Sequence, residues 1–185
     1  YYENVFRLAV RLQRRLETSF SFLNFGSGIG VPYRTGESPV DLAALEMRCA
    51  EVVKMFQPEI SAKLLIESGR FLVCEAGQYV TEILDIKESR GRKYLIVDGG
   101  LNGFFRPVLA GMLDANHPPA EPLFTKKDAW RISSDSVSAE TETVDIVGNL
   151  CSASDILAKD ISLPRAAIGD RIIFTHAGSY GCTLT

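Results

Sequence analysis

The 185 residues are 46% apolar and 23% charged, with a formal net charge of -3. That is an ordinary globular composition with room for one large domain or two small ones, and an acidic balance without a Lys/Arg run argues against a nucleic-acid surface. No apolar stretch nears the roughly 20 residues of a membrane helix, no secretory leader is visible, and Cys49, Cys74, Cys151 and Cys182 form no CxxC pair, so neither a zinc site nor a disulfide framework is suggested and a reducing cytoplasm is the default.

The chain opens at Tyr1 rather than Met and runs straight into a helical pattern, which reads as a piece of a longer chain. Over residues 3–17, Val5, Ala9, Leu12 and Leu16 fall on one face and Arg7, Arg11, Arg14 and Arg15 on others, predicting an amphipathic surface helix. Residues 20–25 are short and apolar, a strand expectation, and lead into Gly26-Ser27-Gly28-Ile29-Gly30. A second helix is expected from Ser38 as N-cap and Pro39 as first helical residue, with Asp41 as a capping carboxylate. Its buried stripe would be Leu42, Leu45, Cys49, Val52, Val53 and Phe56, with Pro58 ending it.

Residues 62–66 read as another buried strand, followed by Glu67-Ser68-Gly69-Arg70. Helix, strand, glycine loop, helix, strand is the alternation of a parallel α/β barrel or a doubly wound sheet. The pattern then changes. Residues 79–88 and 93–100 around the turn at 89–92 predict a hairpin. Residues 107–126, with Pro107, Pro118, Pro119 and Pro122, read mainly as loop. Residues 127–149 and 169–176 read as further strands, with a turn at Gly169-Asp170. The expected division is a partial barrel over 1–75 and a β-domain over 76–185.

Two loops follow successive barrel-type strands. Glycines 26 and 28 let backbone N–H groups crowd around a phosphate, and Ser27 adds a hydroxyl; a plain structural turn is the competing reading. In the second loop Glu67 and Arg70 either pair with each other or divide tasks, the guanidinium gripping a phosphate or carboxylate and the acid holding a ring nitrogen.

Taken in order, the segments 24–33, 66–73, 97–102 with Arg106-Pro107, 148–155 and 178–180 resemble the Gly-Gly-Gly, Glu-Pro-Gly-Arg, Asp-x-Gly with Arg-Pro, Gly-Pro-x-Cys and Gly-Ala-Tyr motifs of the diaminopimelate/ornithine decarboxylase family. The resemblance implies the C-terminal portion of a (β/α)8 barrel binding pyridoxal 5'-phosphate (PLP), followed by a mostly antiparallel β-domain. It implies that Gly26, Ser27, Gly28, Gly69, Arg70 and Tyr180 hold the cofactor phosphate region and that Glu67 faces the pyridine nitrogen, making the ring an electron sink. Cys151 would reach across a homodimer interface and handle the proton that replaces CO2, while Arg106 and position 152 would face the substrate. For Cys151 the bland alternative is a small buried residue; for Tyr180 it is a core aromatic in a strand. His117 and His176 match no motif position and read as a loop residue and a strand residue.

Four departures stand out. The family's cofactor-holding lysine would lie upstream of Tyr1, so this chain alone is expected to be inactive. The tyrosine four residues after the motif arginine is Ala110, and the acid after the motif cysteine is Ser152. Ser27 and Ser68 replace a glycine and a proline. Ala110 and Ser152 remove contacts expected for a distal amine, pointing to an amino-acid substrate other than diaminopimelate. The rival readings are a non-catalytic binding or regulatory relative and a PLP racemase of similar architecture.

Overall fold

The computed structural model describes residues 1–26, 28–33, 36–109, 130–134 and 138–181. They fall into two compact units, one made of Tyr1–Val31 with Ser38–Phe71 and the other of Pro32–Glu37 with Leu72–Thr185.

In the first unit, helix α1 (Tyr2–Leu16) leads to strand β1 (Phe22–Asn24) and helix α2 (Leu42–Phe56) to strand β2 (Lys63–Leu65); the short helix α3 (Gly69–Val73) starts in this unit and ends in the residues of the second. The two strands pair in parallel, Leu23 opposite Leu64. The core is Phe6, Ala9, Val10, Phe25, Phe56 and Ile60. Phe6 stacks on Phe56 at 5.1 Å between ring centroids and tilts against Phe25 at 5.0 Å. The face of α1 expected from spacing is therefore rotated. Phe6 and Val10 turn inward, while Leu12 and Leu16 are exposed. The large aromatic ring has the greatest area to remove from water, and it decides which face the helix presents.

Helix α2 starts later than expected. Its N-cap is Asp41, whose carboxylate accepts the Ala44 N–H at 3.0 Å, so neither Ser38 nor Pro39 is in the first turn. Asp41 already satisfies one of the orphan donors that open a helix. The stripe on α2 lies where the periodicity puts it, but Phe56 alone is fully buried. Leu45, Cys49, Val52 and Val53 are half-buried and Leu42 is exposed.

The second unit is a six-stranded sheet in the order β5-β8-β3-β4-β6-β7. Strand β3 (Tyr79–Ser89) and strand β4 (Arg92–Val97) form the expected hairpin. Its turn places Arg90 and Gly91 at positive φ (53° and 75°), as a tight two-residue hairpin turn requires. The sheet continues with β5 (Trp130–Ser133), β6 (Thr141–Val147), β7 (Ile156–Pro164) and β8 (Arg171–Phe174). All neighbours are antiparallel except β4 and β6.

Strand β7 is not expected from the sequence. Lys159-Asp160 forms a bulge in it, with Asp160 at φ 52°, and the bulge breaks the alternation that marks a strand. Asp145 fills the bulge, accepting the Asp160 N–H at 2.9 Å and two bonds from Arg92 at 2.8 Å each. The core of this unit is dense: Ile83, Leu95, Val97, Phe104, Val144, Ile146, Ile172 and Phe174 are each 2% exposed or less. Among the described residues no helix is long and apolar enough to cross a membrane.

Candidate functional site

Parallel pairing puts the C-terminal ends of β1 and β2 side by side, and both loops singled out in the sequence start there. The Glu67 N–H donates to the Gly26 carbonyl at 2.7 Å, and the Phe25 N–H to the Leu65 carbonyl at 3.0 Å. Asn24 ties them further: its amide donates to Glu67 Oε1 at 2.5 Å and its Oδ1 accepts the Gly26 N–H at 2.8 Å. Glu67 is thus oriented by Asn24, which the sequence reading did not single out. An Asn at a strand end next to a glycine turn was the signal that could have found it.

Gly26 and Gly28 sit at φ +66° and +112°, and a Cβ at either would meet no atom within 4 Å. The backbone there lies open and in a conformation that favours glycine. Ser68 Oγ is buried without a hydrogen-bond partner. Gly69 and Arg70 form the first turn of α3. An open glycine turn, an unpartnered hydroxyl, an oriented carboxylate and an arginine fit a phosphate-bearing heterocycle in donor set. A separate apolar cleft of about 460 Å3 in this unit is lined by Tyr1, Tyr2, Gly28, Ile29, Val40 and Leu45. It shares Gly28 with the turn but includes neither Glu67 nor Arg70, so its lining does not supply this chemistry.

In the second unit Cys151 is exposed, not a buried core thiol. Its loop is organised by Asp155, which is 1% exposed. One carboxylate oxygen accepts the Leu150 N–H at 3.0 Å and the other the Leu101 N–H at 2.5 Å. A Cβ on Gly100 or Gly148 would strike this carboxylate, so the two glycines make room for it. Ser152 faces Ser154, their hydroxyl oxygens 2.8 Å apart. Asp155 joins the Cys151 loop to the turn that precedes Arg106, a link the sequence carries only as the last letter of a motif.

Arg106 lies on a helical turn over 105–109, directly after the fully buried Phe104, whose ring packs on Tyr79 at 5.0 Å and Phe174 at 5.6 Å. Burial pushes the Tyr79 phenol above its ordinary range. The Arg106 guanidinium lies over the Tyr33 ring at 4.8 Å and over the Tyr180 ring at 5.7 Å. Its Nε is buried without a hydrogen-bond partner.

Tyr33 is buried, and its hydroxyl lies 3.1 Å from Cys74 Sγ, which in turn donates to the His176 carbonyl at 3.3 Å. Burial and the bond to Cys74 push the Tyr33 phenol upward. Tyr180 follows β8 in a turn at φ 58° and is 45% exposed. It is not a core strand aromatic. His176, expected on a strand, stands past the end of β8 at φ 57°, with Nδ1 2.8 Å from Thr175 Oγ1. Ser27, Ala110, His117 and Cys182 lie outside the described residues.

Residues 12–178 match the family model described as the C-terminal sheet domain of pyridoxal-dependent decarboxylase. The chain is 32% identical over 88% of its length to L-glutamyl-[BtrI acyl-carrier protein] decarboxylase of Niallia circulans, covering 37% of that protein. It is 33% identical over 88% of its length to the Staphylococcus aureus decarboxylase of 2-[(L-alanin-3-ylcarbamoyl)methyl]-2-hydroxybutanedioate, covering 39% of it. A solved diaminopimelate decarboxylase from M. jannaschii, in complex with L-lysine, superposes with a TM-score of 0.75 at 26% identity, covering 97% of this chain and 38% of that one. The chain therefore spans about two fifths of the length of the curated relatives it matches.

Proposed function

The chain belongs to the pyridoxal-dependent decarboxylases, and from that premise we propose that the protein containing it decarboxylates an α-amino acid other than diaminopimelate, using PLP. The observation that carries the reading is the joining of the two loops of the first unit, Glu67 N–H to Gly26 carbonyl at 2.7 Å with Asn24 fixing the Glu67 carboxylate. In this reading the first unit is the end of a PLP-binding barrel and the sheet unit is the β-domain that follows it in the chain.

Gly26 and Gly28, with Ser27 between them in the sequence, would hold the cofactor phosphate with Arg70, Gly69 and Tyr180. Glu67, kept in place by Asn24, would keep the pyridine nitrogen protonated. PLP, when bound, takes up the electron pair that departing CO2 leaves behind. Glu67 holds the compensating positive charge on the ring where that pair is received, so its effect grows as CO2 leaves. Cys151, exposed on a loop fixed by Asp155, would supply the replacing proton from a second copy of the chain. Arg106 and Ser152 would face the substrate.

The replacement of an acid by Ser152 supports a substrate without a distal amine. Two of the decarboxylases that the chain resembles, named for acyl-carrier-bound glutamyl and hydroxybutanedioate substrates, are compatible with that view.

The test is made on the full-length protein. Visible absorbance of bound PLP, CO2 release from an amino acid, and weak turnover of meso-diaminopimelate are expected. Glu67→Ala should lower kcat by about a hundredfold or more while PLP stays bound. A protein that binds no PLP would overturn the assignment in favour of a regulatory relative. Racemisation without CO2 release would overturn the reaction, and efficient turnover of meso-diaminopimelate the substrate assignment.

A further inference from the structure

The loop that follows β8 and carries Tyr180 is strained. His176 and Tyr180 both stand at positive φ, 57° and 58°. Residues with a Cβ rarely take that conformation, and it persists where the surroundings over-determine it. The surroundings here are residues 74–77, which join α3 to β3 and belong to the same sheet unit. The Ala177 N–H donates to the Gly77 carbonyl and the Gly178 N–H to the Cys74 carbonyl, each at 3.0 Å, and the Cys74 thiol donates to the His176 carbonyl at 3.3 Å. The two backbones cross closely. A Cβ on Gly77 would strike the Gly178 backbone, and a Cβ on Gly178 would strike the Val73 carbonyl.

Of these three ties, that of Cys74 to His176 is the one made by a side chain. The thiol is fully buried, and no motif gives it a task. Its single proton goes to the His176 carbonyl, so the Tyr33 hydroxyl, 3.1 Å away, gives its own proton to the sulfur. A cysteine that merely fills space would show no such pairing on both proton and lone pair. We propose that Cys74 is a positioning residue for Tyr180, and that its thiol latches the loop after β8 in the form in which the phenol can grip a phosphate.

This deepens the proposed function, since it rests on Tyr180 as a phosphate contact. The latch predicts an effect specific to the phosphate and dependent on the Tyr180 hydroxyl. A packing role predicts neither. Alanine is small enough to stand between the crossing backbones and removes both bonds of the thiol. Serine keeps one donor and an acceptor in the same place.

The full-length protein is titrated with PLP and with pyridoxal, which lacks the phosphate, and binding is read by visible absorbance. Cys74→Ala should weaken PLP about fivefold with pyridoxal changed by less than about twofold, and Cys74→Ser should bring PLP back to within about twofold of wild type. In a Tyr180→Phe background, Cys74→Ala should no longer change PLP affinity. Undiminished PLP affinity in Cys74→Ala, equal weakening of PLP and pyridoxal, or a full effect retained in Tyr180→Phe would overturn the proposal while leaving the decarboxylase reading intact. A second measurement uses the wild type alone. A ligand that favours the latched loop must protect the thiol beneath it, so inorganic phosphate should slow alkylation of Cys74 by iodoacetamide, followed by peptide mass spectrometry. Should Cys74→Ala fail to fold, this carries the test, and alkylation unmoved by phosphate would overturn the latch. A wild type that carries no PLP but gains this protection defeats the decarboxylase reading and leaves the latch standing.

Discussion

The two units bury their side chains very differently, and each fixes its chemistry-bearing loops accordingly. Among the described residues the sheet unit holds nine Ile, Leu, Val and Phe side chains at 2% exposure or less, and its loops start from that platform. Phe104 sinks into the core and Arg106 follows two residues later; Phe174 ends β8 and Tyr180 follows. In the helical unit the core is six residues, and α2 buries Phe56 alone while Met47 and Met55 stand exposed. There the loops depend on local hydrogen bonds: Glu67 to Gly26, and Asn24 to both. A dense core positions by packing, and a thin one must position by polar contacts at the site itself.

The strongest way to break this comparison is to remove one side chain from each core. Phe174→Ala should cost about 3–5 kcal/mol of stability because the cavity lies amid fully buried neighbours. Leu45→Ala on the half-buried face of α2 should cost about 1 kcal/mol or less by the smaller area involved. Urea unfolding of the intact protein measures both. Equal losses would show that the helical unit is as tightly packed as the sheet.

The polar supports give the next largest contrast. Asp155→Ala removes the buried carboxylate that accepts the partly buried Leu101 and Leu150 N–H groups, a loss of about 1–3 kcal/mol. Cys151 should then be alkylated at a different rate, since its loop loses the anchor. Asn24→Ala, on an exposed pair of bonds, should cost only about 1 kcal/mol but should weaken PLP binding more than Asp155→Ala does. If Asn24→Ala leaves PLP affinity untouched, local hydrogen bonding is not what orders the first unit's site.

How much of this the sequence displayed depends on how far apart the partners lie. The loops at 26–28 and 67–70 were readable because a strand-helix-strand alternation itself brings their starting points together. The hairpin was readable from Arg90-Gly91, a local signal. The rotated face of α1 was not, because spacing alone does not say that Phe6 will stack on Phe56. Strand β7 hid behind its bulge. Tyr33 and Cys74 are 41 residues apart, and Cys74 and His176 are 102 apart, so only the fold discloses that they meet beneath Arg106. Asp155 was visible as a letter but not as a clamp, since its donors are backbone amides and leave no mark in composition.

The smallest effect concerns a polar knot inside the sheet unit, where that unit too relies on charge. Burial pushes the Asp145 carboxyl up, but the bonds from Arg92 and from the Asp160 amide outweigh it and hold the group below its ordinary range. A lowered folded value means that the stabilisation is fully present above the ordinary carboxylate range and is lost as pH falls through the lowered value. Arg92 is 43% exposed on its side chain, so solvent screens part of the attraction. Asp145→Asn should therefore cost on the order of 1 kcal/mol at neutral pH, and its stability should fall less steeply in acid than that of the wild type. Parallel acid-unfolding curves that stay the same distance apart at every pH would show that Asp145 acts in the bulge by shape alone, and that the sheet unit needs no charge to hold its form.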